Sequence, residues 1–186
     1  MNMRKELLLA AALNFIYFGV EFLVALWIGS VSLFADSIHF LEETVVNLEI
    51  FFAPGWSSAR RSTVGIALAA ILLLPCLATI WMAWYKFSVP FPPSPIPLGL
   101  VGAGALAMNL SCAMILASQQ HKGSRLIRAA FLGSRNDAFV NIAIVGAGVA
   151  TALRPSVWPD LIVGLVIAVL NADVARQVYR ATRAAP

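Results

Sequence analysis

The chain has 186 residues, 60% of them hydrophobic and 12% charged, with a mean hydropathy of +0.84 and a formal net charge of +4. Charged residues make up about a quarter of a typical soluble domain, and the apolar runs here approach the roughly 20 residues that cross a bilayer, so composition excludes a soluble globular domain. The basic excess sits in short hydrophilic segments and reads as a topology signal, which excludes nucleic acid as a partner.

Six apolar segments predict an all-α membrane protein, a six-transmembrane-helix bundle in one domain over 1–186, with spans near 6–28, 31–53, 63–85, 97–118, 126–152 and 158–175. The basic start Met1 to Glu6 precedes an apolar run too long for a signal peptide and interrupted by Asn14 and Glu21, so the first span is expected to stay attached. The Gly29-Ser30 link is so short that spans one and two must be antiparallel neighbours. Counting back from that turn puts Glu21 near the depth of Asp36, and Asn14 near that of Thr44 to Asn47. Both add polar groups to one layer, either for function or as interhelical hydrogen bonds that hold the bundle together.

Span two carries Asp36, His39, Glu42, Glu43 and Glu49 inside an apolar stretch. Its twelve Val, Leu, Ile and Phe residues return roughly 4 to 7 kcal/mol on insertion, whereas four carboxylates near mid-helix cost on the order of 10 kcal/mol. It cannot face lipid all round. At about 100° per residue, Asp36, His39, Glu43 and Asn47 fall within about 80° of one another, while Glu42 and Glu49 lie on another side. Intramembrane groups of this kind face a bundle interior or a water-filled path and mark a functional site.

The link 54–62 holds Arg60 and Arg61, and Pro75 is expected to kink span three, which otherwise reads as scaffold. Five prolines between Lys86 and Pro97 predict a stiff connector to span four, whose Gly and Ala content permits close helix approach and whose notable polar residue is Asn109. His121, alone in its link, reads as a solvated residue. Cys76 and Cys112 lie in apolar segments without metal spacing and read as packing residues. Span five presents Arg135, Asn136, Asp137 and Asn141; Asp137 and Asn141 share a face, while Arg135 points elsewhere and suits an ion pair with Glu42 or Glu49. Span six starts at Pro155, Pro159 and Asp160, and no soluble C-terminal domain is expected after Arg183.

Ten Lys and Arg residues at the N-terminus, in the 54–62 link, in 119–128 and at the C-terminus face Lys86 and Arg154 on the opposite side. That bias predicts both termini in the cytoplasm. The depth of His39 below the outer end of span two, and of Asp137 below the inner end of span five, lets the two meet near mid-bilayer. His39 and Glu43, at i and i+4, project from one face, and Asp137 closes the set. An imidazole and two carboxylates suit Zn²⁺, and also Mn²⁺ or Fe²⁺. The same groups bind protons, so metal and H⁺ compete for them. On spacing alone, a divalent-metal site, a proton path and a buried ion-paired network all remain open.

The segment GSVSLFADSIHFLEE, 29–43, resembles the second span of the cation diffusion facilitator family of divalent-metal/proton antiporters. Asn14 and Glu21 are similar to that family's first-span pattern, Asn109-Leu-Ser to its fourth and WPDLIVGLVIA to its sixth, so the likeness covers nearly the whole chain. The resemblance implies metal ligands at His39, Glu43 and Asp137, with Asp36, Asn136, Asn141, Glu21, Asn14 and Asn47 as further ligands or proton-pathway groups, and Glu42 and Glu49 lining the cytoplasmic access or pairing with Arg135. It further implies export of a divalent metal, zinc first, by alternating access in exchange for H⁺, from the cytoplasmic membrane of a prokaryote, with a homodimer compatible and no enzymatic activity. Three departures stand out: Gly133 occupies a usual ligand position, Glu43 replaces the usual Asp, and the family's cytoplasmic C-terminal domain is expected to be absent. The rival expectations are a non-transporting metal-binding or regulatory relative and an intramembrane metalloenzyme.

Overall fold

The computed structural model describes residues 3–52, 63, 77–117 and 125–184, with side chains over 4–52, 63, 77–115, 137–173 and 176. The expectations at Arg60, Arg61, Pro75, Cys76 and His121, and for the side chains of Arg135 and Asn136, lie outside that set. The helices are α1 (Met3–Ile28), α2 (Val31–Phe52), α3 (77–88), α4 (Pro95–Ala117), α5 (Arg125–Leu153) and α6 (Trp158–Ala184), with no strand among the described residues. The protein is an all-α helical bundle. The last helix continues past 175 to Ala184, because a helix satisfies its own backbone and does not need hydrocarbon to continue.

Polarity is arranged inside out. Trp27, Trp81 and Leu153 are 77%, 73% and 84% exposed, whereas Asn14, Glu21, Asn109, Asn141 and Asp160 are each 0% exposed. Only a solvent as apolar as lipid makes that distribution favourable. Among the described residues, Arg4–Ile28 and Pro95–Ile115 are long and apolar enough to cross a membrane by length and composition. The apolar part of the interior joins Ala25, Leu33, Ile38, Leu98, Ile144 and Ile167 from five helices.

The α1–α2 turn explains how the polar helix is held. Gly29 has φ 67°, and a Cβ there would sit 2.8 Å from the Phe91 ring, so both conformation and space require glycine. The Ser30 N–H returns to the Ala25 carbonyl at 3.0 Å, closing α1 in a Schellman motif. The first four N–H groups of α2 are all accounted for: Val31 and Ser32 donate to the Asp160 carboxylate at 2.9 and 3.1 Å, Leu33 to Ser30 Oγ at 3.2 Å, and Phe34 to the Ser30 carbonyl at 3.2 Å. Asp160 also accepts from Ser30 Oγ at 2.6 Å, Ser32 Oγ at 2.7 Å and Lys86 Nζ at 3.2 Å, while Lys86 additionally donates to the Gly29 carbonyl. Lys86 was counted from the sequence as a loop charge. It is instead 2% exposed and bridges α3, α6 and the α1–α2 turn.

With its end pinned, α2 runs between α1 and α6, with α5 and α4 also against it. Every residue from Val31 to Ile38 is buried, whereas His39, Glu43, Val45 and the residues from Leu48 to Phe51 are partly exposed. The N-terminal half of α2 is therefore closed on all sides. Gly148 of α5 faces the Gly99 backbone of α4, with only 2.9 Å from a would-be Cβ to the Gly99 nitrogen, the close approach expected of small residues in membrane helices.

Candidate metal centre

His39 and Glu43 lie one turn apart on α2, and Asp137 on α5 stands opposite. One ligand atom from each lies within 4.8 Å of the others. One edge, His39 Nε2 to Asp137 Oδ2, is 2.8 Å. Ions with bonds of about 2.0–2.1 Å in tetrahedral geometry hold their ligands about 3.3 Å apart. The set is thus near the size an ion needs, and the His39–Asp137 edge has the length of a hydrogen bond.

The groups around this set are ordered by side chains from other helices. Asn14 of α1 donates from Nδ2 to Glu43 Oε2 at 2.8 Å, and Cys112 of α4 donates from Sγ to Asn14 Oδ1 at 3.4 Å. Asn141 of α5 donates to Asp36 Oδ2 at 2.6 Å and accepts from Asn109 of α4 at 2.8 Å. The carboxyls of Glu21 and Asp36 interact with each other, both fully buried, and neither Glu21 oxygen is taken up by another hydrogen bond. Asn171 of α6 donates to the Ala35 carbonyl at 3.0 Å. Helices α1, α5 and α6 each send an amide to α2, and α4 sends one to Asn141 of α5.

The sequence expectations sort accordingly. His39, Glu43 and Asp137 are brought together. Asn14 and Asn141 are engaged with Glu43 and Asp36 and act as supports within hydrogen-bonding range of carboxylates. Asn47 donates to the Glu43 carbonyl at 2.8 Å, one turn inward. Glu49 lies partly exposed toward the C-terminal end of α2. Glu42, placed by the helical wheel on another side, is buried and has Oε2 3.3 Å from His39 Nδ1, because residues three apart are neighbours on a helix. Cys112 is a free, buried thiol that packs against Asn14. Asp160, Lys86 and Asn171 were not singled out; their signal in the sequence is a polar residue in or at the edge of an apolar span.

A family model of the cation efflux transmembrane domain matches residues 7–184. The chain belongs to this family. Two relatives, each described as zinc transporter ZitB, come from Yersinia pseudotuberculosis serotype I (strain IP32953) and Yersinia pestis. Each is 24% identical over 178 residues, covering 89% of this chain and 57% of the relative. The chain thus spans just over half the length of these curated relatives. Its membership in the cation efflux family agrees with the inside-out polarity of the bundle and with the resemblance noted at 29–43.

Proposed function

We propose that this protein is a carrier and not an enzyme, exporting a divalent cation, zinc first, across a prokaryotic cytoplasmic membrane in exchange for protons, with the ion held by His39, Glu43 and Asp137. The observation that carries this reading is the convergence of an imidazole and two carboxylates from two facing helices within 4.8 Å. The family supports cation efflux, and the relatives named as zinc transporters support the choice of metal. Support for exchange comes from the 2.8 Å His39–Asp137 edge. At that length the two atoms are too close to hold an ion between them, so an ion would displace any proton they hold and widen the edge to about 3.3 Å. Glu21 and Asp36 are the proposed proton-carrying groups beside the ion. With Val31 to Ile38 buried and His39, Glu43 and Asp137 partly exposed, access is proposed from the inner, Arg-rich side.

The test is zinc flux in proteoliposomes with and without a pH gradient, with a reporter fused after Pro186 to fix the orientation. Saturable zinc movement that is driven by an opposing proton gradient, with the C-terminus cytoplasmic in cells, is the expected result. Zinc binding without flux would leave the second reading, a non-transporting metal-binding relative. That reading is favoured by one specific observation, the glycine at position 133.

Gly133 precedes Asp137 by one turn of α5 and supplies no ligand. A histidine there should reach the ion. Gly133→His is expected to tighten zinc binding more than tenfold, at least ~1.4 kcal/mol, and to steepen its pH dependence because another group must lose its proton. Calorimetric titration at two pH values checks this, and unchanged affinity would show that position 133 does not face the ion.

A further inference from the structure

The three converging groups leave one neighbour unexplained. Glu42 is 2% exposed, is not among the residues that converge on the ion position, and among the described residues neither of its oxygens meets a hydrogen-bond partner in good geometry. A buried carboxylate in an apolar span is costly unless something needs it. Its Oε2 lies 3.3 Å from Nδ1 of His39, while the other ring nitrogen, Nε2, is the one directed at Asp137. The imidazole is thus flanked by two carboxylates with different tasks, one on the side of the ion and one behind the ring.

We propose that Glu42 is a positioning residue for the metal site: by accepting the Nδ1–H of His39 it fixes the ring's tautomer and orientation, so that the Nε2 lone pair faces the ion. This inference rests on the reading of His39, Glu43 and Asp137 as the ligands. A neutral imidazole has one N–H and one lone pair, and a ring free to flip or change tautomer presents the wrong group to a cation part of the time. A carboxylate behind the ring removes that freedom and makes the ligating nitrogen more basic. Glu42 suits the task by geometry: it lies three residues from His39 on the same helix, so no tertiary rearrangement during transport separates the two. Glu43, the next residue, instead turns to the ion and to Asn14. The adjacent glutamates are therefore assigned different roles, Glu43 as ligand and Glu42 as support.

The experiment titrates zinc alone into the purified full chain, comparing the parent with Glu42→Gln and Glu42→Leu, and records the histidine ¹⁵N spectrum of the zinc-loaded proteins, with His121→Gln used for assignment. Glu42→Leu is expected to bind zinc about 10–100-fold more weakly, the usual cost of losing an outer-shell partner. Glu42→Gln should fall between it and the parent, since the amide oxygen still accepts the Nδ1–H. In the zinc-loaded parent, His39 is expected to carry its proton on Nδ1 and the metal on Nε2. A parent that binds zinc while Glu42→Leu binds as tightly overturns the role of Glu42 alone. A parent that binds no zinc saturably overturns the ligand reading and this inference with it. If Glu42→Leu does not fold, the parent's spectrum decides: a proton on Nε2 refutes the proposal, and one on Nδ1 supports it.

Discussion

Asp160→Ala is expected to lower stability by about 3 to 5 kcal/mol, the cost of removing one partner from a buried ion pair. Asp160 is fully buried and accepts from two backbone amides, two serine hydroxyls and Lys86. Alanine would leave the Lys86 ammonium, itself 2% exposed, with the Gly29 carbonyl and the face of the Phe91 ring. It would also free the Val31 and Ser32 N–H groups at the start of the helix that carries the site. A carboxylate at that end further complements the positive pole of α2, which alanine would forfeit. For a chain of this size the loss corresponds to about 10 °C in melting temperature, read from tryptophan fluorescence in detergent. Asp160→Asn, which keeps acceptors but not the charge, should lose less. The double variant Lys86→Met with Asp160→Leu should recover much of the loss, because apolar residues of similar volume replace buried ion pairs well. A melting temperature unchanged in Asp160→Ala would mean that the contacts around this carboxylate do not hold the N-terminal end of α2.

His39→Ala, Glu43→Ala and Asp137→Ala should each abolish saturable zinc binding, with affinity falling at least a hundredfold, about 2.7 kcal/mol. With three protein ligands the site has none to spare, since each loss leaves two ligands and water. The charge balance points the same way: the two carboxylates neutralise a divalent ion, and removing either leaves net positive charge in an apolar bundle. Ser111→Ala, whose hydroxyl donates to the Ala107 carbonyl of its own helix, is the control and should bind as the parent does. Calorimetric titration of folded, monodisperse protein gives the readout. Tight binding retained in Asp137→Ala would mean that α2 and α5 do not share one ion.

The sequence by itself determined the class of fold and the stripe on α2. Both follow from local quantities: span length against bilayer thickness, and the cost of placing Asp36, His39, Glu42 and Glu43 in hydrocarbon. The two-residue link at Gly29-Ser30 put Glu21 at the depth of Asp36, which it meets, and Asn14 near the depth of Thr44 to Asn47, next to its actual partner Glu43, because an antiparallel hairpin fixes depth by counting residues back from its turn. Only the tertiary structure decided how α2 is held and which helix faces which polar group. Asp160 meets Ser30, Val31 and Ser32 across about 130 residues of chain, and Asn141 meets Asp36 across 105. Neither partner is encoded by local spacing. The rotation of each helix is set by which faces pack. Glu42 shows the same limit at close range: a helical wheel placed it away from the stripe, yet its side chain is long enough to reach His39.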